Sequence, residues 1–280
     1  MSSESQEGRE LLSALVPKIQ SCREVLSAQH IGNALYSLQG MSSESHEVMT
    51  LSSSLAPKVL GCEEDLSAQA VGNALYGLQG MSNKSHEMAA LLSALATKVL
   101  NCKEEFRGQH VGNALYDLRG MCSDTAEMTT LLFLLVPKIH GCRQKVHARE
   151  ISNALYGLQR MRSENLGVSA LLSALVPKML TCYDEFDAQT LGNALYGLQG
   201  MSSDASIVEA LLSALVSKVR SCRHELDAQA VGNALYGLQG MSSESQEGRE
   251  LLSALVPKIQ SCERSLAHSI SVMLSIAYRE

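Results

Sequence analysis

The stretch Val231–Met241, VGNALYGLQGM, has close copies at five earlier places in the chain. Its asparagine recurs as Asn33, Asn73, Asn113, Asn153, Asn193 and Asn233, a step of 40 residues every time, without insertion or deletion. Self-similarity at a fixed period of roughly 20–50 residues marks a stacked array of small units rather than a globule. The chain of 280 residues therefore divides into units 1–40, 41–80, 81–120, 121–160, 161–200, 201–240 and 241–280.

Working outward from NALY, each unit reads as two helices. A Ser- or Asp-rich start such as MSSDAS (Met201–Ser206) offers N-caps, and a glutamate in the first turn favours the helix dipole. Leu11, Leu12, Leu15, Val16 and Ile19 then form one apolar helical face, giving a helix A over about residues 4–22. Pro17, Pro57, Pro137, Pro177 and Pro257 fall inside it, with Thr97 and Ser217 in their place elsewhere, so the proline is a tolerated kink rather than a break. After a short polar connection, Ser27, Asp187 or Asp227 provides a second N-cap. Helix B follows over about 28–39, with Ile31, Ala34, Leu35 and Leu38 inward and Gly40 at a left-handed C-cap. Short connections make the pair antiparallel. One hairpin cannot bury its own apolar face, so the units stack into an all-α solenoid, a superhelix of seven tandem 40-residue helical hairpins forming a single domain. The last unit ends LAHSISVMLSIAYRE (Leu266–Glu280), without the Asn and Tyr, and is expected to be a diverged C-terminal cap.

Bulk properties exclude several classes. No apolar run reaches the ~18 residues of a membrane span. The start, MSSESQEGRELLSALV, has no basic region ahead of its apolar stretch and is not expected to be a secretory signal; residues 1–22 recur unchanged at 241–262. A net charge of −6 argues against indiscriminate binding to nucleic acid. Cys22, Cys62, Cys102, Cys142, Cys182, Cys222 and Cys262 share one unit position. Helices stacked about 8–10 Å apart cannot bridge such cysteines, since a disulfide needs Cα atoms within roughly 7 Å. Buried free thiols in a reducing, intracellular compartment are the expectation. No phosphate loop, nucleophile elbow or metal spacing is present. The expectation is a protein without enzymatic activity, metal, cofactor or small-molecule substrate, acting as a monomer.

Three sets of polar residues recur. On helix B, the asparagines and Tyr36, Tyr76, Tyr116, Tyr156, Tyr196 and Tyr236 stand opposite the core stripe, with glutamine four residues before the asparagine except at Arg149. They can form a ladder for stacking and hydrogen bonding, or the mortar between units. Because identical residues cannot discriminate among ligand units, mortar is the reading adopted. A second row, Lys18, Lys58, Lys98, Lys138, Lys178, Lys218 and Lys258, either complements the helix A dipole or offers cations about 10 Å apart to a phosphate backbone. If RNA is bound, this row should be clear of carboxylates such as Glu7, Glu47, Glu87, Glu127 and Glu247. Third, the outward helix A positions vary: Gln6, Arg9, Glu10, His46, Met49, Thr50, His86, Thr129, Thr130, Ser169, Ser206 and Glu209 are the candidates for base reading. Helix B has its own variable face, with His30, His110, Glu150 and Thr190 beside Ser37 and Asp117.

The segment AQAVGNALYGLQGM (Ala228–Met241) resembles the signature of octotricopeptide repeats, helical hairpins of organelle RNA-binding proteins. That resemblance covers helix B of the first six units and extends loosely over the whole unit. It implies an α-solenoid that binds single-stranded RNA, about one nucleotide per unit, and regulates transcripts in a chloroplast or mitochondrion. The unit here is 40 residues rather than 38, and Tyr stands where that family has Trp. Similar Asn-Ala-Leu repeats occur in HEAT-like arrays of bacterial effector proteins. The sequence thus points to single-stranded RNA as the leading ligand. A HEAT- or armadillo-type scaffold for an extended peptide or protein partner is the alternative.

Overall fold

A computed structural model describes residues 5–42, 44–202, 205–239, 241 and 245–277, with side chains as far as Ser261. Among the described residues there are thirteen α-helices and no strand. The A helices are α1 (Gln6–Ser21), α3 (His46–Gly61), α5 (His86–Asn101), α7 (Ala126–Gly141), α9 (Leu166–Leu180), α11 (Ser206–Ser221) and α13 (Gln246–Ala277). The B helices are α2 (Ala28–Tyr36), α4 (Ala68–Gly77), α6 (Gly108–Tyr116), α8 (Ala148–Gly157), α10 (Ala188–Tyr196) and α12 (Ala228–Gly237). Each A helix packs on the next A helix and each B helix on the next B helix, so two parallel layers enclose a continuous core.

The proline leaves helix length alone: α3 and α7 contain it, α5 and α11 lack it, and all four run 16 residues. Ser5, Ser85 and Thr125 cap A helices through the side-chain oxygen, as Ser27, Ser67, Asp187 and Asp227 cap B helices. Helix B is shorter than the sequence suggests. It ends at Tyr36 or Gly77-type positions, and the chain tightens into i→i−3 bonds such as Leu38 N to Leu35 O and Gln39 N to Tyr36 O. Gly40, Gly80, Gly120 and Gly200 then take positive φ of 74 to 87°, as the C-cap reading requires; among the described residues Arg160 alone does so with a side chain.

The core has a polarity. Leu51, Leu91, Leu131, Leu171, Leu211 and Leu251 are buried by the unit before them, whereas their counterpart Leu11 is 53% exposed. Leu92, Leu132, Leu172 and Leu212 are buried by the unit after them, whereas Leu252 is 42% exposed. One leucine of each adjacent pair thus faces backward and the other forward, which is why the pattern shows doubled apolar positions.

The seventh unit departs from the hairpin expected of it. Helix α13 continues for 32 residues, straight through the region where the other units turn. The sequence has alanine at 267, where earlier units such as the first and fifth place Ser27 or Asp187 to start a new helix. The array is therefore six hairpins and one long helix. The Cys262 thiol and the side chains of the expected cap (Leu266–Glu280) lie outside the described residues.

Candidate functional site

The polar rows identified in the sequence separate once their partners are known. The lysine row is tied inside the fold. Lys58, Lys98, Lys138, Lys178, Lys218 and Lys258 each donate to the carbonyl of the cysteine that ends helix A of the preceding unit, from Cys22 to Cys222; the Lys178 bond is 2.7 Å. These carbonyls have lost their helical partner, and a cation there complements the helix dipole of the unit before. Lys98 is only 6% exposed. Lys18, whose equivalent carbonyl would lie ahead of residue 1, is exposed. Glu7, Glu47, Glu87 and Glu127 sit in the first helical turn, so they do not neutralise lysines in the last. A phosphate role for the row would have to compete with these carbonyl bonds, which is where the earlier expectation needs revision.

Two further ties repeat. Glu64 and Glu104 cap the preceding B helix by accepting from Ala28 N and Ala68 N, each at 2.7 Å. Asn83, Ser123 and Ser163 are buried and accept from Cys122 N, Arg162 N and Ser202 N one unit later. The described cysteines are free, and all of them but Cys22 and Cys122 are buried. Burial pushes the thiols of Cys102, Cys142 and Cys182 up from their ordinary value.

None of the helix A candidates lines the three cavities described below. Gln6, Arg9, Glu10, His46, His86, Thr130 and Ser206 are exposed over the A layer; Met49, Thr50, Ser169 and Glu209 are half-buried. Thr50 and Thr130 turn their hydroxyls onto their own helix, at His46 O and Ala126 O. Thr129 accepts from Asn165 Nδ2 at 2.7 Å, a tie between units.

The groove runs instead along helix B, over the asparagine and tyrosine rows. Tyrosine rings stack on one another: Tyr36 on Tyr76, Tyr116 on Tyr156, Tyr156 on Tyr196 and Tyr196 on Tyr236, with centroids 5.0 to 5.6 Å apart. Most of the ring faces are thus used on each other. The Arg160 guanidinium bonds the Tyr236 hydroxyl and holds that phenol below its ordinary value. The asparagines behave differently. Asn73 accepts from Gln69 and Asn193 from Asn233. Among the described residues the side-chain amides of Asn33, Asn113 and Asn153 bond no protein group, and all three lie in cavity walls.

Two cavities widen the groove. The smaller, about 440 Å³, lies between α2 and α4 and is lined by Gln29, Asn33, Glu64, Asp65, Gln69 and Asn73, among others. The larger, about 650 Å³, spans α4 to α10 and includes Tyr76, Asn113, Asp117, Arg149, Ser152 and Asp187 in its wall.

Local sequence explains why the groove widens there. Position 37 of a unit is glycine in most B helices because the preceding helix leaves no room: a Cβ on Gly157 would stand 1.9 Å from Leu115 O, and on Gly197 2.2 Å from Leu155 O. Asp117 occupies that position in unit three, and the Tyr76 and Tyr116 rings are not stacked across the same joint. The Arg119 guanidinium instead lies 4.3 Å from the centre of the Tyr116 ring and donates to Gln79 at 3.1 Å. Position 32 meets the next helix closely at two joints only, since nothing lies within 4 Å of a Cβ on Gly72 or Gly232. Gly112 and Gly192 let the next helix approach, with Cβ contacts of 2.9 and 2.8 Å, but unit four has Ser152. Asp117 is 5% exposed, and desolvation raises its carboxyl to about 7 against the nearby Arg119 charge. Asp117 and Thr190 had been read only as part of a variable helix B face, and Ser152 had drawn no notice. The signal at Asp117 and Ser152 is a side chain where most other units have glycine; Thr190 carries no such signal.

Among the described residues no group of His, Cys, Asp and Glu is placed to hold a metal ion, and no helix is long and apolar enough to cross a membrane. No protein-family model matches the chain, and no curated protein matches it significantly.

Proposed function

We propose that this helical-repeat protein is a non-enzymatic scaffold that binds an extended polypeptide along its helix B groove. The observation that carries the reading is that the repeated groups with free bonding capacity in the groove are side-chain amides, not cations. An amide offers one acceptor and two donors, matching the alternating C=O and N–H of an extended backbone without regard to sequence. B helices about 9–10 Å apart would meet every third residue of a strand rising ~3.3 Å per residue. The cavity walls carry Glu64, Asp65, Asp117 and Asp187 against Arg149, a poor setting for a phosphate backbone. Self-stacked tyrosines also leave few ring faces for bases.

Single-stranded RNA, with the organelle setting that the octotricopeptide resemblance implies, is the second reading. A separate pocket of about 370 Å³ on the edge between helices A and B supports it, because Arg143 lines it beside Tyr183, which is 90% exposed; of its other two cations, Lys145 pairs with Asp184 and Lys178 with the Cys142 carbonyl. Selection from a random peptide library and, in parallel, from a random single-stranded RNA pool at ~150 mM salt tests both readings. Enriched peptides whose binding falls in an Asn113→Ala, Asn153→Ala variant are the expected result. Enrichment of one short RNA motif with no enriched peptide would overturn the groove reading.

A further inference from the structure

In a chain of near-identical units, departures from the common residue draw the eye when they converge. Asp117 replaces glycine, Ser152 replaces glycine and Arg149 replaces glutamine, and all three line the 650 Å³ cavity. Two of them are buried polar groups without partners. The Ser152 hydroxyl is sealed and makes no hydrogen bond, and the Asp117 carboxyl, on a residue 5% exposed, opens onto the cavity and accepts no bond from the described residues. Leaving such groups unpaired is costly, and Asp117 also forgoes the close helix packing that glycine gives at its position.

We propose that this cavity is a binding site for one guanidinium group, the side chain of an arginine in the polypeptide that the groove accepts, with Asp117 as its anchoring carboxylate. The proposal rests on the groove reading above. Three features select the cation and its shape. Asp187 is already engaged, since its carboxylate caps α10 by accepting from Thr190 N at 2.8 Å, so Asp117 is the carboxylate left for a new partner. The Arg119 guanidinium is committed to Gln79 and the Tyr116 ring, and Arg149 is exposed to solvent. A planar guanidinium can present two parallel N–H bonds to a carboxylate and a further one to the free Asn113 or Asn153 carbonyl. It can also lie on Tyr76, which stacks on Tyr36 to one side and lines the cavity. The Asp117 carboxyl feels the Arg119 charge from the turn after α6 and shares the cavity wall with Tyr76 of α4, Arg149 of α8 and Asp187, the N-cap of α10, so arrival of a cation favours its ionised form.

The test uses the full chain with its aspartate carboxyl carbons labelled and N-acetyl-arginine amide as the probe, at about pH 8 where the free carboxyl is largely ionised. A saturable shift of the Asp117 carbon at millimolar probe is expected. The citrulline analogue, equal in shape but neutral, should leave that signal in place. Asp117→Asn should weaken binding about tenfold, and Ser152→Gly, which restores the common residue, should weaken it less. Equal shifts from the citrulline analogue, no saturable shift, or unchanged affinity in Asp117→Asn would each overturn the site. Should Asp117→Asn fail to fold by circular dichroism, the citrulline comparison on the unaltered chain decides alone. The peptide library separates this inference from its premise: enriched peptides without arginine sink the site and keep the groove, whereas no enriched peptide sinks the groove while the probe still reports on the site.

Discussion

The joint between α8 and α10 and the joint between α4 and α6 are built from the same template and end differently. At the first, Gly197 lets the backbone of one helix touch the other, and Tyr156 and Tyr196 stack at 5.1 Å. At the second, Asp117 stands in the glycine position, the tyrosine row is interrupted and Arg119 covers the exposed ring. One methylene and one carboxyl convert a closed contact into the wall of a cavity. Packing in a solenoid is decided joint by joint, because each unit touches only its neighbours.

The comparison can be broken from the closed side. Gly197→Ala places a Cβ against Leu155 O and should destabilise the protein by about 3 kcal/mol or more in urea titration; Asp117→Ala, at the open joint, should not. A loss below about 1 kcal/mol for Gly197→Ala would show that the two joints do not differ in tightness.

It can be sharpened by pH. Asp117 is raised to about 7 in the fold, above its value in the unfolded chain, so the folded state holds a proton that the unfolded state releases. Stability should therefore fall as pH rises from about 4 to 7, by a few kcal/mol at most, and level off above that. Asp117→Asn should flatten that profile against the background of Arg119, Arg149 and Asp187. Identical slopes in both proteins, measured by thermal melting across the range, would remove Asp117 as the cause.

The ties that do not differ between joints give the next effect. Lys138→Met leaves the Cys102 carbonyl without its inter-unit donor and should cost about 1–3 kcal/mol, while Lys18→Met should change stability by less than about 0.5 kcal/mol. Equal effects would mean that the lysine acts on its own helix rather than between units. Smallest is Arg119→Gln, which restores the common residue and removes the cation from the Tyr116 face, at roughly 0.5–1 kcal/mol.

Much of this architecture was legible from the period alone. The unit length, the two helices, the N-caps and the left-handed glycine all follow from local chemistry repeated six times. What escaped was relational. Lys58 looks the same on a helical wheel whether it meets a phosphate or the Cys22 carbonyl, 36 residues back, and only stacking geometry decides. Both helices are amphipathic, so the sequence could not say that helix B lines the groove. A wheel also places the tyrosines and asparagines alike, whereas in the fold the tyrosine rings stack on one another and the amides of Asn33, Asn113 and Asn153 bond no described protein group. Asp117 and Ser152 were visible as exceptions, yet their meaning required knowing what glycine does at those two positions.

The lysine, glutamate and asparagine ties share one further property: they join residues 36 to 42 positions apart, however far along the chain they occur. The loop that must close to form any of them is fixed by the unit and is independent of total length. Closure entropy rises only with the logarithm of loop size, and here the loop never grows. A longer array of these units would have lower relative contact order than a short one and would meet no slower step in folding. Size in this architecture comes without the kinetic burden that long-range pairing imposes on a sheet.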